Sequence, residues 1–408
     1  MYDENEIRSH FPMITNHPEL VYLDNAATAF KSDAVIDRIN EFYTTGTSNV
    51  HRGDYGLSVK ASNDFDHVRD IVARFIHAKS SKEIVFTSGA SQSLNWVAYS
   101  YGLNHLKKDD VILTTEAEHA SNILPWFKVC EQTGAKIEYI PMQSDGSIQL
   151  DDFKQAMHDQ VKILAIAYVS NVLGMVQPLK EMIAIAHSYG AICVIDGAQA
   201  VPHMPVDVQN LDCDYLAFSG HKLGAAGGTG VLYGKYDLLE ANDPPLYGGG
   251  SNARFDLCGN ILLKHAPFKY EAGTPNVEGV ISLGRAIEFL ESIGMDQIWE
   301  HEKMLKAYAV KRLAPLKHVH LYNATSESGL ITFNVEGIFA QDVAAYLNSF
   351  NIAVRSGNHC AKILVEIIGT SETVRASVYL YNTKADIDRL IDALKDITLE
   401  KCIDAAML

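Results

Sequence analysis

The chain has 408 residues, 47% of them hydrophobic and 21% charged. That is an ordinary globular composition on a chain long enough for more than one domain. The net charge of −16 comes with no offsetting basic tract, which argues against a general nucleic-acid or anionic-membrane binder. No apolar run approaches the ~20 residues a membrane span needs, and the acidic start MYDENEIRSHFP does not read as a signal peptide. The six cysteines, at 130, 193, 213, 258, 360 and 402, are scattered without a CxxC pair. That pattern disfavours a zinc site or a disulfide framework and points to a reducing cytoplasm.

The first ~20 residues carry no clear periodicity. From about residue 60, short apolar runs alternate with amphipathic ones. DFDHVRDIVARFIHA has helical spacing, EIVFTSG reads as a strand entering a turn, and ASQSLNWVAYSYGLNHL is helical again. DVILTT, KIEYIPM, KILAIAYVS and AICVIDGA read as strands, separated by the helical SNILPWFKVCEQTG, LDDFKQAMHD and LKEMIAIAHSYG. The alternation predicts an α/β fold with a mostly parallel sheet covered by helices. Tyr215–Phe218 and Val231–Tyr233 read as two further strands, with Lys222 in a glycine-rich loop too flexible for regular structure. GVISLGRAIEFLESIGMDQIWEHEKMLKAYAVKRLAPL predicts a long helix, bent or broken near Gly294. The remainder mixes strands and helices, an α+β pattern. The expected division is a large α/β domain over 20–270 and a smaller α+β domain formed by 1–19 and 271–408.

In such sheets ligands bind beyond the carboxyl ends of the strands, so the residues after each strand carry the candidates. They are Ala90 and Ser91 after EIVFTSG, His119 after VILTT, and Asn171 after LAIAYVS. Asp196 and Gln199 follow CVIDGAQA, and Ser219, His221 and Lys222 follow YLAF. Singly each has a bland reading, since Asp and Ser after a strand are often helix caps and a lone His is usually structural. Together they have one chemistry. A lysine amine forms a Schiff base with an aldehyde cofactor, and pyridoxal phosphate needs that lysine, a carboxylate for its ring nitrogen and a phosphate cradle. Asp196 suits the ring nitrogen and Gln199 the phenolic oxygen. Ser219, His221 and the backbone at Ala90–Ser91 suit the phosphate, and His119 can stack on the ring and move protons. Gly224, Gly227, Gly228 and Gly230 would let the backbone pass close to the cofactor.

The segments VYLDNAATA, NVHRG, EAEHASNILPW, VSNVLGMVQPL, VIDGAQAV, SGHKL, YGGGS, EAGTPN and RSGNHCA occur in that order. The chain therefore resembles the cysteine desulfurases of the class V aminotransferase group, with the fold type I of pyridoxal-phosphate enzymes. Within them it is similar to the second, SufS/CsdA-like group, whose cysteine sits in a short RSGNHCA-like segment. The resemblance implies that Cys360 attacks the substrate sulfur, leaving alanine and an enzyme persulfide. Lys222 would hold the cofactor and move protons. Arg375 would clamp the substrate carboxylate, with Asn171, Arg355 and His51 of NVHRG also on the substrate side. Thr274 of EAGTPN would reach the phosphate of the neighbouring subunit in a homodimer. L-cysteine would be the substrate, and the persulfide would pass to a SufE- or SufU-type acceptor protein for iron–sulfur cluster or other thio-cofactor assembly. On the residues alone, Arg355 and in part His359 would supply positive charge to lower the Cys360 thiol, while the other five cysteines read as inert. After the lysine the chain has GAAGGTG where related enzymes often carry YGPTGIG, so this loop is expected to be more mobile. A selenocysteine lyase is the alternative reading, with another class V reaction or a non-catalytic scaffold as more distant rivals.

Overall fold

A computed structural model of the chain describes residues 2–406. The first strand, β1 (Val21–Tyr22), lies outside the main sheet. That sheet has seven strands: β2 (Ile84–Thr87), β3 (Val111–Thr114), β4 (Lys136–Tyr139), β5 (Val161–Ala167), β6 (Ile192–Asp196), β7 (Tyr215–Ser219) and β8 (Gly230–Gly234), in the order β2-β8-β7-β6-β5-β3-β4. All neighbours run parallel except β8, which is antiparallel to both β2 and β7. In β5 Leu164 and Ile166 pack into one hydrophobic cluster and Ile163 and Ala165 into another. This is the period-2 signature of a sheet buried on both faces.

The helix Gly56–Phe75 buries Ala61, Phe65, Val68 and Val72, a stripe of spacing 4, 3 and 4. It packs on the helix Val277–Ile293, where Gly284 permits the approach: a Cβ there would lie 2.7 Å from Val68 Cγ2. The long helix expected over 279–316 is broken at Gly294, as its φ of 97° requires, and resumes as Met295–Leu313.

A hairpin, β9 (Asn252–Phe255) with β10 (Ile261–Leu263), follows the main sheet. The second sheet is antiparallel, built from β11 (Val319–Leu321) and β12 (Leu330–Val335) with two later strands. After β13 (Ile352–Ala353), which pairs in parallel with β1, come β14 (Arg355–Gly357) and β15 (Thr373–Ser377). The order is β11-β12-β15-β14.

Hydrophobic packing divides the chain differently from the expected boundary at residue 271. Ile7 and Phe11, together with Val277–Leu290 and Tyr379–Tyr381, join the core of the large sheet. Val21 and Leu23 instead join the core of the small sheet with Leu305, Phe333 and Val374. The physical reason is that Val277–Ile293 packs on the helices Gly56–Phe75 and Asp33–Glu41 within the large-sheet core, while β1 pairs with β13.

Candidate active site

The carboxyl ends of β5, β6 and β7 open into a cavity of about 290 Å³. Ala90, Ser91, His119, Asn171, Asp196, Gln199, Ser219, His221 and Lys222 line it from the large sheet. Arg355, His359, Cys360 and Arg375 line it from the small one, with Ala26 and Ala27 between. The topology therefore brings together twelve of the fourteen residues expected from the sequence: the nine from the large sheet, with Arg355, Cys360 and Arg375 from the small one.

Two stand apart. His51 is exposed, with Nε2 at 3.6 Å from Asp66 Oδ1 and its ring edge-on to Phe65. Thr274 is exposed and outside the cavity of its own chain.

Lys222 sits on a helical turn, Gly220–Leu223, closed by Gly224 in the left-handed region, and not in an irregular loop. Backbone bonds hold that turn: Gly220 N–H donates to the Thr229 carbonyl at 2.8 Å and Ala225 N–H to the Gly220 carbonyl at 3.0 Å. The glycine run folds back so that β8 pairs with β7. None of its glycines lines the cavity. Gly224 caps the turn, Gly227 and Gly228 face solvent, and Gly230 packs on the backbone of Gly89, where a Cβ would lie 2.4 Å from the Gly89 Cα. Of the four, Gly230 serves close backbone approach beside the site.

Burial sets the charges. Lys222 is half-buried in the cavity wall, and desolvation pushes its amine down to about 8, with Asp196 partly opposing the shift. His221 is pushed down to about 4 by burial, with the Lys222 and Lys31 charges adding. Burial also lowers His119, whose Nδ1 accepts from Ser121 N–H at 3.1 Å, so a neutral ring carries its proton on Nε2. Arg375 is lowered to about 10 by burial, with Asp24 opposing.

Glu118, one residue before His119, was not anticipated. It is buried and pushed up to about 7, while Thr115 and Asn122 donate to its two oxygens at 2.7 Å. An acid beside His119 in EAEHAS was the available signal, but burial cannot be read from one residue.

Cys360 is exposed at the cavity mouth with φ of 60°, directly after His359 at 51°. Its carbonyl accepts from Ala120 N–H at 2.8 Å and its N–H donates to Asn358 Oδ1 at 3.0 Å. The expected sources of positive charge are both altered. His359 is pushed down to about 3 by burial and by Arg375, so it is neutral. Arg355 is engaged by Asp24, Nη2 to Oδ2 at 2.9 Å. Asp24, in VYLDNAATA, is the functional neighbour that the sequence alone does not reveal. Burial raises the thiols of Cys130, Cys193, Cys213 and Cys402. Cys258 is exposed between β9 and β10, so burial does not protect it, contrary to expectation.

The polar lining of the cavity suits pyridoxal phosphate. Gln199 Oε1, Asn171 Oδ1, Arg375 Nε and His359 Nδ1 are buried and unpartnered on residues that line the cavity, and buried polar atoms left so require partners. Ser219 Oγ accepts from Ala90 N–H at 2.8 Å, at the start of the helix Ala90–Val97. That helix start has no side-chain cap, so its next N–H groups are free for an anion.

The class-V aminotransferase family model matches residues 21–390. A protein of Halalkalibacterium halodurans named "Probable cysteine desulfurase" is 46% identical over 96% of this chain and 97% of its own length. The chain belongs to the class-V aminotransferases and, within them, to the cysteine desulfurase family. A cysteine desulfurase of Salmonella typhimurium is 42% identical over 96% of the chain and 97% of its own length. The crystal structure of the cysteine desulfurase CsdA from Escherichia coli superposes with a TM-score of 0.91 at 36% identity, covering 99% of both chains. That of a cysteine desulfurase from Thermococcus onnurineus NA1 gives 0.93 at 38%, covering 97% of this chain and 98% of the other. As in this family generally, the desulfurase uses pyridoxal phosphate as its cofactor. Among the described residues no helix is long and apolar enough to cross a membrane.

Proposed function

We propose that Cys360 is the sulfur acceptor with which this cysteine desulfurase converts L-cysteine to L-alanine. The observation that carries the reading is that Lys222, Arg375 and Cys360, supplied by two different sheets, line one cavity.

When bound, pyridoxal phosphate holds the substrate amine covalently and takes up the electron pair released at the α-carbon. The chain supplies the rest. Asp196 would offer its carboxylate to the ring nitrogen, and Gln199, whose Nε2 already donates one hydrogen to the Ala26 carbonyl at 2.9 Å, would donate its other to the phenolic oxygen. Ser219, His221 and the helix start at Ala90–Ser91, where the Ser91 N–H is free, would receive the phosphate. His119 would cover the ring. Arg375 takes the substrate carboxylate with its planar fork, aided by Asn171. Lys222, with an amine near 8, can release and accept a proton at the α-carbon close to neutral pH. The Cys360 thiolate attacks the substrate sulfur. The S–S bond forms as the carbon–sulfur bond breaks, and the pair left on the β-carbon takes a proton to give the methyl group of alanine.

The sulfur then passes to an acceptor protein of the SufE or SufU type, for iron–sulfur cluster or other thio-cofactor assembly. The exposure of Cys360 at the cavity mouth supports delivery to a partner. A homodimer is supported by Thr274 and His51, which face outward where a second subunit can use them, and by the apolar β9–β10 hairpin, whose Phe255 is 71% exposed. Six free cysteines fit a reducing cytoplasm.

The test is alanine and sulfide release from L-cysteine by wild type and Cys360→Ala, each with its absorption spectrum. A variant that keeps its cofactor band and releases neither product supports the reading. Wild-type turnover by the variant overturns it and returns selenocysteine lyase, where selenide leaves without a thiol nucleophile, to the front.

A further inference from the structure

The turn that carries Cys360 is wired to the strand that carries Arg375. Arg375 Nη1 donates to the Asn171 carbonyl at 2.8 Å. Asn171 Nδ2 donates to the His359 carbonyl at 2.8 Å. The His359 ring closes the path, with Nε2 at 3.1 Å from the Thr373 carbonyl and 2.9 Å from Thr373 Oγ1. Thr373 and Arg375 are two residues apart on β15, on one face of the strand. The circuit therefore returns to the arginine where it began.

A carbonyl only accepts, so the contact with Thr373 puts the ring proton on Nε2 and leaves Nδ1 with a lone pair. Nδ1 is buried and has no partner, on a residue that lines the cavity. A neutral ring also suits its place, because burial and the adjacent Arg375 charge both disfavour a second cation there. The backbone needs such a tether. His359 and Cys360 are consecutive non-glycine residues in the left-handed region, a conformation that persists only where the surroundings over-determine it.

We propose that His359 is a positioning residue for sulfur transfer: its ring, locked to Thr373, fixes the left-handed turn that presents the Cys360 thiol in register with Arg375. The inference rests on the reading of Cys360 as the sulfur acceptor, and Cys360→Ala is assayed alongside so that the two can fail separately.

The holoenzyme is compared with His359→Phe, which keeps a ring and removes the N–H, and with His359→Gln, which restores an N–H near the place of Nε2. Loss of a buried hydrogen-bond partner predicts that His359→Phe lowers kcat for alanine release roughly tenfold or more, with KM within about threefold. His359→Gln recovers kcat to within about threefold of wild type. A readout independent of turnover is the rate at which iodoacetamide alkylates Cys360, followed by peptide mass. That rate rises in His359→Phe as the turn relaxes and returns towards wild type in His359→Gln. If the phenyl ring prevents folding, judged by melting temperature, His359→Met takes its place with the same expectations. Wild-type kcat and alkylation in the variant without the N–H overturn the proposal, as does a glutamine variant no better than it. If Cys360→Ala itself turns over cysteine normally, the underlying reading is what falls.

Discussion

Asp24 grips Arg355 with both carboxylate oxygens: Nε lies at 3.1 and 3.2 Å from Oδ1 and Oδ2, and Nη2 at 2.9 Å from Oδ2. The same carboxylate lies 3.7 Å from the buried Arg375. One acid therefore balances two arginines that line the cavity. The Arg355 pair is half exposed and worth little by itself, whereas Arg375 is enclosed and depends on it.

Asp24→Asn should lower the melting temperature, by the equivalent of about 1–3 kcal/mol for a buried charge left short of a partner. It should also lower KM for L-cysteine, because the substrate carboxylate then becomes the main counter-charge for Arg375. Thermal melts and steady-state kinetics on the same preparation check both.

Lys222→Ala should keep the fold and bind the cofactor only non-covalently. Borohydride reduction followed by denaturation should leave the wild type with cofactor attached at Lys222 and the variant with none. Turnover should fall by at least about 10²-fold, the usual size of a lost general acid–base.

Lys306 gives a pH signature far from the reaction. It is buried and lowered to about 7 from 10.5 by burial. Between those values the unfolded chain holds a proton that the folded chain lacks, so the contribution of Lys306 to stability rises with pH across that window. Its amine donates to the Leu330 carbonyl, which Asn323 Nδ2 also serves at 2.8 Å. Lys306→Met should thus be more stable than wild type at pH 7 and should lose part of the rise towards pH 9. Urea titrations at the two pH values measure the difference.

Gly230→Ala places a methyl group 2.4 Å from the Gly89 Cα, against backbone that cannot swing away. The expected cost is about 1–3 kcal/mol of overpacking. The strain falls on Gly89–Ser91, so cofactor occupancy should drop with it. Occupancy read from absorbance and stability read from melts should fall together.

The alternating runs gave the sheet and its helices directly, because each strand is buried and each helix carries one apolar stripe. The candidates at the strand ends converge for the same reason: in parallel strands those ends share one edge. What the sequence did not disclose are relations across several hundred residues. Asp24 reads as an ordinary acid until Arg355 and Arg375 stand beside it. His359 reads as a helper of the thiol's charge until burial and Arg375 make it neutral. The Lys222 turn is only four residues long, too short for a periodic signal beside a glycine run. The division of the two cores was also hidden, because it depends on which sheet each segment finds as a partner.

The segment around β1 has a consequence for how the molecule is made. Asn25 and Ala26 are fixed through the Ser377 carbonyl and hydroxyl, more than 350 positions later in the chain. Gln199 in turn holds the Ala26 carbonyl. On a ribosome, this stretch must wait until β15, more than 350 residues later, has been made before it can settle. Contacts of such separation form slowly. A nascent chain that has made the large sheet and not yet β15 therefore still has an unfinished cavity wall.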